Sequence, residues 1–257
     1  MMRIPFYHLF LITLCLTTHS LAGPEAAVLT EREWSFQGIF GTFDRAALQR
    51  GFQVYKEVCA SCHGLNQRSY RHLQDIGYDL KHIKALAATY ETRDGPNEDG
   101  EMFMRPAEPN DKFVNPYANT KAARAVNNGA LPVDLSLVVK ARKGGPDYLY
   151  GLLTGFSAPP AHMKDKILDG MHYNAVFPGN QIAMAAPLSE GLLDYQDGTK
   201  ATVSQMAEDV TTFLAWTAEP ELEYRKKWGF RILIFLLAFS GVMFGINARV
   251  WRRLSQP

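Results

Sequence analysis

The chain has 257 residues, a formal net charge of +1 and 21% charged residues, an ordinary composition for a folded protein. This balance indicates neither a nucleic-acid partner nor a disordered tail. Two apolar runs, one near each end, differ from the middle of the chain and bear on its compartment.

The N-terminal run has the pattern of a secretory signal peptide. Arg3 supplies a basic residue, residues 9–16 an apolar core, and residues 20–22 a small-x-small cleavage site. The run is too short to cross the roughly 30 Å of hydrocarbon in a bilayer, so a permanent anchor is the weaker interpretation. We therefore predict a cleaved signal peptide over residues 1–22, with Cys15 discarded as part of it.

The segment over 23–220 is predicted to form one exported domain. Asp44 can cap a helix whose apolar residues recur at three- and four-residue spacing and which runs into Cys59. Near the other end of the segment, Thr202 and Gln205 make a capping box before a second helix with one apolar face. Turn residues dominate between the two helices and strand alternation is sparse, which favours a mainly α domain.

A cysteine motif follows the first helix directly, as Cys59-Ala60-Ser61-Cys62-His63. Two thiols at this spacing can reach the two vinyl groups of one porphyrin, and the next residue presents an imidazole to its iron. The motif therefore predicts covalent attachment of one haem through Cys59 and Cys62, with His63 bound to the iron.

Three other interpretations of this motif are weaker. A structural zinc site needs four ligands, and no further cysteine remains once the signal peptide is removed. A redox dithiol of the thioredoxin type needs a βαβ context, whereas this motif follows a helix. A disulfide across a two-residue gap in a helical segment has poor geometry.

A sixth iron ligand is expected in an electron carrier, and methionine is a common choice. Spacing alone does not select among the methionines between the motif and the anchor. Met206 lies on the apolar face of its own helix and is best interpreted as core. Met184 lies in an irregular segment before Pro187, where extended backbone could run along a haem face. The candidates are Met102, Met104, Met163, Met171, Met184 and Met206.

The C-terminal apolar run predicts one membrane-spanning helix. Residues 228–248 are interrupted only by Arg231, which lies near the start and can extend its guanidinium to the interface. Basic residues flank both ends, so their number does not set the orientation; the exported N-terminal part does. We predict an anchor with flanks over 221–250 and a cytoplasmic tail over 251–257. A buried core helix is the alternative.

These segments together resemble the cytochrome c1 family, the haem subunit of the cytochrome bc1 complex (ubiquinol–cytochrome c oxidoreductase), in its bacterial type. The resemblance covers nearly the whole mature chain and rests on many collinear motifs. They include Arg50-Gly51-Phe52-Gln53-Val54-Tyr55, Val58-Cys59-Ala60-Ser61-Cys62-His63, Tyr70-Arg71-His72-Leu73, Asp94-Gly95-Pro96-Asn97-Glu98-Asp99-Gly100-Glu101, Asn127-Asn128-Gly129-Ala130-Leu131-Pro132, Arg142-Lys143-Gly144-Gly145-Pro146-Asp147-Tyr148 and Phe177-Pro178-Gly179-Asn180-Gln181-Ile182-Ala183-Met184.

The resemblance implies a class I cytochrome c-like haem domain with long loop insertions and one C-terminal transmembrane helix. It implies roles for six residues: Cys59 and Cys62 as thioether bridges, His63 and Met184 as axial ligands, and Arg142 and Tyr148 as haem-propionate contacts. A propionate removed from water needs a cation or a donor, which an arginine and a phenol supply. The chain departs from the family pattern at Val133, where a proline is common, and it lacks the cysteine pair of some bacterial members.

The same resemblance implies a function in respiratory electron transport. The chain would accept electrons from the Rieske iron–sulfur protein and donate them to a cytochrome c, beside cytochrome b in a dimeric complex. The implied location is the bacterial inner membrane, with the haem domain on the periplasmic side. Acidic residues outnumber basic ones over residues 91–111. This segment is either a solvated loop or a surface that steers a basic cytochrome c.

Three rival functions remain at this stage. A free-standing, membrane-tethered electron shuttle could share the haem motif and the anchor. A haem peroxidase would need an open or displaceable sixth position on the iron. A cytochrome subunit of a terminal oxidase would be expected to carry its anchor before the haem motif, whereas here the anchor follows.

Overall fold

The structure is a computed structural model that describes residues 29–254; the predicted signal peptide lies outside the described residues. It is mainly helical, as predicted, with two short antiparallel hairpins. The helices and strands are α1 (Arg45–Glu57), α2 (Leu80–Ala87), β1 (Glu91–Asp94), β2 (Phe103–Pro106), α3 (Thr120–Val126), α4 (Val138–Ala141), α5 (Gly145–Thr154), β3 (His172–Tyr173), β4 (Gln181–Ile182), α6 (Val203–Ala218) and α7 (Leu222–Leu254), with 3-10 turns at Cys59–Ser61, Tyr70–Ile76 and Lys164–Lys166.

Helix α1 begins where the sequence predicts. The Asp44 carboxylate accepts hydrogen bonds from the backbone N–H groups of Ala46, at 2.9 Å, and Ala47, at 3.4 Å. These bonds satisfy donors that the first turn of a helix leaves without an intrahelical partner. The buried face of α1 includes Leu48 and Phe52 and packs into the domain core.

Only one of the two hydrogen bonds of the predicted capping box is formed at the start of α6. The Thr202 hydroxyl accepts a hydrogen bond from the backbone N–H of Gln205, at 3.1 Å. The returning bond is missing, because the Gln205 amide donates instead to both carboxylate oxygens of Asp209, at 3.2 and 3.1 Å. Asp209 is fully buried, so a donor on its carboxylate stabilises the fold more than a second bond at the exposed cap.

Helices α1 and α6 cross in close contact at Gly51. A Cβ atom on Gly51 would lie 2.0 Å from the backbone oxygen of Asp209, so a side chain at this position would force the helices apart. Beside this point Arg50 binds Asp209 through two hydrogen bonds, of 3.0 and 2.9 Å. Phe52 and Phe213 add an aromatic contact with ring centroids 5.6 Å apart. This crossing fixes the end of α1 that leads into the cysteine motif.

The first hairpin, β1–β2, carries part of the acidic segment. Its register pairs Glu91 with Pro106 and Asp94 with Phe103. Arg105 binds the carboxylates of Asp94 and Asp111, the latter at 2.7 Å. These ion pairs connect both strands to the segment that follows them. The second hairpin, β3–β4, pairs His172 with Ile182.

Helix α7 is 33 residues long and is long and apolar enough to cross a membrane. At 1.5 Å per residue it extends about 50 Å, beyond the roughly 30 Å of a hydrocarbon core. None of its most apolar window is buried against the domain, so the alternative of a buried core helix is wrong. Within residues 29–254 it is the one helix that meets these criteria.

Candidate functional site

The cysteine motif forms one tight turn directly after α1. The backbone N–H groups of Cys62 and His63 both donate to the carbonyl oxygen of Cys59, at 3.1 and 2.9 Å. The Ser61 hydroxyl donates to the carbonyl oxygen of Val58 at 2.8 Å and links the turn back to the helix end. The rigid α1–α6 crossing therefore carries all three haem-directed side chains on one short turn.

The His63 imidazole is oriented by a hydrogen bond from its Nδ1 to the carbonyl oxygen of Val133, at 2.7 Å. A carbonyl oxygen only accepts, so Nδ1 carries the proton and Nε2 keeps its lone pair for a metal. Burial lowers the pKa of His63, so the neutral, metal-binding form is favoured. A partner on the second ring nitrogen is typical of histidines that bind metals.

The carbonyl of Val133 is held in place by the residues that follow it. The Asp134 carboxylate accepts hydrogen bonds from the backbone N–H groups of Asn66, at 2.7 Å, and Ser136, at 2.9 Å. The Ser136 hydroxyl in turn accepts from the backbone N–H of Gln67, at 2.9 Å. The acceptor is a backbone atom, so the departure from proline at Val133 does not remove it.

The two thiols suit haem attachment better than the alternatives. Cys59 and Cys62 are half-buried and are not joined in a disulfide. Burial raises the pKa of Cys59 to about 12, the opposite of the lowered pKa that activates a redox dithiol. Among residues 29–254, no group of three or more histidines, cysteines or acids is placed to hold a metal ion, so a zinc site lacks its further ligands there.

The segment that carries Met184 is fastened to the end of α5 by Asn174. This side chain is fully buried and donates from Nδ2 to the carbonyl oxygen of Leu152, at 2.8 Å. Its Oδ1 accepts from the backbone N–H groups of Val176, at 2.9 Å, and Phe177, at 3.0 Å. The loop between β3 and β4 therefore has a defined path, and Met184 follows β4 after one residue.

The structure separates the methionine candidates. Met206 is fully buried in the core on α6, as predicted. Met102 and Met104 are exposed, on and beside the β1–β2 hairpin. Met163, Met171 and Met184 are half-buried, so burial does not choose among these three; Met184 lies two residues after β4. The role of Met184 as the second axial ligand stays a prediction.

Arg142 and Tyr148 lie on either side of the start of α5 and interact electrostatically. Arg142 is exposed and follows α4, and Tyr148 is half-buried in α5. Burial raises the pKa of Tyr148, while the positive charge of Arg142 acts in the opposite direction. A guanidinium and a phenol at this spacing could bind one carboxylate, so their role toward a haem propionate stays a prediction.

Sequence reasoning missed Asp134 and Asn174. Neither carries a chemical motif, and each acts through backbone groups of its own loop. A local signal existed for both, because an Asp or Asn whose side chain accepts from the backbone two residues later is typical of a turn. Asp134 does this with Ser136, and Asn174 with Val176.

The described donor set fits a haem. The Cys59–His63 turn combines two thiols with a neutral histidine whose metal-binding nitrogen is selected; Met184, on a separate segment, is the further ligand that the sequence predicts. Sulfur and imidazole are the groups that c-type cytochromes present to haem.

Comparison with known proteins gives a consistent result. The model of the Cytochrome C1 family matches residues 34–254. Cytochrome c1 1 of Arabidopsis thaliana, a mitochondrial heme protein, is 47% identical over 236 residues, which are 92% of this chain and 73% of that protein. Cytochrome c1 of Rhodospirillum rubrum is 44% identical over 238 residues, 87% of this chain and 88% of that protein.

A longer relative matches as well. The protein called Cytochrome b/c1 in Bradyrhizobium diazoefficiens is 47% identical over 240 residues, which are 85% of this chain. The chain spans only 35% of the length of that relative, whereas it spans most of the two described above.

Proposed function

The chain belongs to the cytochrome c1 family, and we infer from this membership that it is a membrane-anchored haem cytochrome of the bc1 complex. Within that complex it accepts electrons from the Rieske iron–sulfur protein and donates them to a cytochrome c. The observation that carries the proposal is the Cys59–His63 turn, with the Nδ1 of His63 fixed on the carbonyl oxygen of Val133.

We propose that one haem c is held covalently by this chain. Cys59 and Cys62 would form the two thioether bonds, and the Nε2 of His63 would bind the iron. Met184, on the segment after β4, would supply the further sulfur ligand. When bound, the haem supplies a one-electron Fe(III)/Fe(II) couple, whose potential a methionine ligand raises.

Arg142 and Tyr148 are proposed to bind the haem propionates. The positive charge of Arg142 acts on the Tyr148 hydroxyl, and Tyr148 is half-buried, which supports this role. A cation and a hydroxyl donor together offset the cost of taking a carboxylate out of water. Arg142 is exposed, so this contact would lie at the rim of the site.

The partners follow from the family. As a subunit of the bc1 complex the chain lies beside cytochrome b and the Rieske protein; the dimeric state and the cytochrome c acceptor are proposals. The chain forms no covalent intermediate with a substrate and needs no general base. Its residues ligate the haem, set the polarity around it and provide docking surfaces for its partners.

Membrane topology completes the proposal. A single-pass protein of the bacterial inner membrane fits helix α7 and the bacterial relatives. We propose cleavage after Ala22, a periplasmic haem domain over 23–220, an anchor with flanks over 221–250 and a cytoplasmic tail over 251–257. Tethering keeps the haem at high effective concentration near its partners.

A pyridine haemochrome assay and a redox titration of wild type and Met184→Leu test the haem assignment. We expect covalent haem in both proteins, low-spin haem in wild type, and a sharply lower reduction potential in the variant. Met171→Leu, which alters another half-buried methionine, is the control and should keep the potential. If Met184→Leu has no effect and Met171→Leu lowers the potential, the axial assignment is wrong.

Co-purification in mild detergent separates the complex from its nearest rival. A subunit of the bc1 complex is recovered with cytochrome b and the Rieske protein, whereas a free-standing electron shuttle is recovered alone. A methionine-ligated spectrum without peroxide turnover excludes a haem peroxidase.

A further inference from the structure

A tight turn next to helix α7 carries two strongly exposed apolar side chains. Ile39 is 71% exposed and Phe40 is 79% exposed, at the tip of the turn. Gly38, directly before the tip, has a φ of +69°. Residues other than glycine rarely adopt this left-handed conformation. Adjacent large apolar side chains held in water are unfavourable, so the tip indicates a contact outside the chain.

The base of the turn is rigid, which excludes simple fraying as the cause of the exposure. Trp34 and Phe36 are buried in the core, and the rings of Phe36 and Phe43 pack with centroids 4.9 Å apart. The backbone N–H of Thr42 donates to the carbonyl oxygen of Ser35, at 3.0 Å, and closes the turn.

Helix α7 holds the turn through two charged side chains. The Lys226 ammonium donates to the carbonyl oxygens of Phe36, at 2.6 Å, and Gly41, at 3.0 Å. The Glu223 carboxylate accepts from the backbone N–H of Phe43, at 2.7 Å, and from the Arg45 guanidinium, at 2.7 Å. The orientation of the turn is therefore fixed relative to the helix axis.

The tip lies level with the start of the apolar part of α7. The rings of Phe40 and Phe230 meet edge to face, with centroids 5.9 Å apart. Trp228 and Tyr224, two and six residues before Phe230, pack together, and Ile232 begins the run without charged residues. Aromatic residues before such a run mark the membrane–water interface, so Phe40 lies at the depth of that interface.

We propose that Ile39 and Phe40 form a second membrane contact, inserted into the interfacial lipid of the leaflet where the N-terminal end of α7 lies. The occupant is lipid, because the tip is continuous with the lipid-facing surface of α7 through Phe230. One helix alone leaves the haem domain able to tilt about its base; a second contact at the side of the helix fixes the height and tilt of the domain. The proposal rests on α7 spanning the bilayer.

Depth measurement with nitroxide labels tests this contact. The intact complex carrying Ile39→Cys is labelled and reconstituted into lipid nanodiscs. The accessibility of the label is then measured to two reagents: oxygen, which concentrates in lipid, and a water-soluble nickel complex. We expect an oxygen-to-nickel accessibility ratio several-fold higher at residue 39 than at Ser189→Cys, an exposed position on the haem domain. With haem on both cysteines of the motif, as proposed above, the introduced thiol is the one of residues 29–254 that is left for the label, and wild-type complex labelled in parallel gives the background from other subunits.

Ser240→Cys, within α7, reports separately on the anchor. A lipid signal at residue 240 together with a water signal at residue 39 overturns this inference and leaves the anchor intact. A residue-39 label inaccessible to both reagents also overturns it, because the tip would then be covered by another subunit. A water signal at residue 240 would instead contradict the membrane anchor itself.

Discussion

The Nδ1 of His63 lies 2.7 Å from the carbonyl oxygen of Val133, although the two residues are 70 positions apart in the chain. This bond selects the tautomer in which Nε2 is available to iron and raises the basicity of the ligand. The Asp134 carboxylate keeps the carbonyl in place by fastening its loop to Asn66.

Asp134→Ala should therefore loosen the histidine ligand. We expect about 1 kcal/mol lower stability from the lost hydrogen bonds, and an altered reduction potential because the imidazole loses its fixed orientation. Redox titration and denaturant unfolding of the holoprotein measure both effects. Val133→Pro is the control: it keeps the carbonyl acceptor and should leave the potential unchanged.

Asn174 is predicted to position Met184 without touching the haem. Asn174→Ala leaves the backbone N–H groups of Val176 and Phe177 and the carbonyl of Leu152 without their partner. We expect a stability loss of about 2 kcal/mol and a weaker methionine-to-iron charge-transfer band in the oxidised protein.

Asn174→Asp is the matched control, because it keeps the acceptor for the two N–H groups and replaces the donor to Leu152 with a carboxyl oxygen. It should retain more of the charge-transfer band than Asn174→Ala does. Equal loss of stability with an intact band in both variants would show a structural role alone.

The buried ion pair between α1 and α6 gives a third prediction. Arg50 binds Asp209, whose side chain is fully buried, and also binds the exposed Asp197 at 2.8 Å. Arg50→Leu should cost about 3 to 5 kcal/mol, because it leaves a carboxylate buried without its cation. The double variant Arg50→Leu/Asp209→Leu should recover most of that loss. Asp197→Asn is the control and should change stability little, since solvent screens that charge.

Helix starts, the cysteine motif and the apolar run were predictable because each depends on neighbours in sequence. Asp44 caps α1 as predicted, and Met206 packs into the core as its helical face indicated. The sequence does not predict that the Gln205 side chain bonds Asp209 instead of the N-terminus of α6. The need for that bond arises only because packing against α1 buries Asp209.

The same limit applies to the site. Periodicity shows that a residue faces inward but does not identify the distant backbone that meets it. The hydrogen bond between His63 and the carbonyl oxygen of Val133 joins segments far apart in the chain, and so does the bond from Lys226 to the carbonyl oxygen of Phe36. The sequence alone therefore names candidate haem ligands but not the residues that orient them.

The ion pairs of the β1–β2 hairpin predict a stability that depends on pH. The Arg105 guanidinium lowers the pKa of Asp94 and of Asp111 below the usual value of about 4. A carboxylate with a lowered folded-state pKa stabilises the fold fully above its unfolded pKa and loses that contribution as the pH falls through the folded-state pKa.

Limited proteolysis of the hairpin in wild type and Asp111→Asn checks this dependence. We expect the variant to be cleaved faster at pH 7 and the difference to shrink as the pH falls below about 4, where the wild-type carboxylates become protonated. A difference that stays constant down to pH 2 would mean that the ion pairs do not hold the hairpin.

The last prediction concerns which acids of this segment act on a partner. Asp94 and Asp111 share one cation, Arg105, whereas Glu98, Asp99 and Glu101 are exposed at the tip of the hairpin. Exposed carboxylates project a field into solvent that can steer a basic cytochrome c and raise the rate of encounter more than the affinity.

Glu98→Gln/Asp99→Asn/Glu101→Gln should therefore slow the reduction of cytochrome c at low ionic strength and flatten the dependence of its rate on salt. The effect should disappear at high salt, where the Debye length falls to about 3 Å at 1 M and wild type loses the same steering. Glu31→Gln/Glu33→Gln/Asp194→Asn makes the same change in charge on exposed residues away from the hairpin and is the control. An unchanged salt slope in the hairpin variant excludes this loop as the docking surface, whereas equal flattening in both variants assigns the steering to the net charge of the domain.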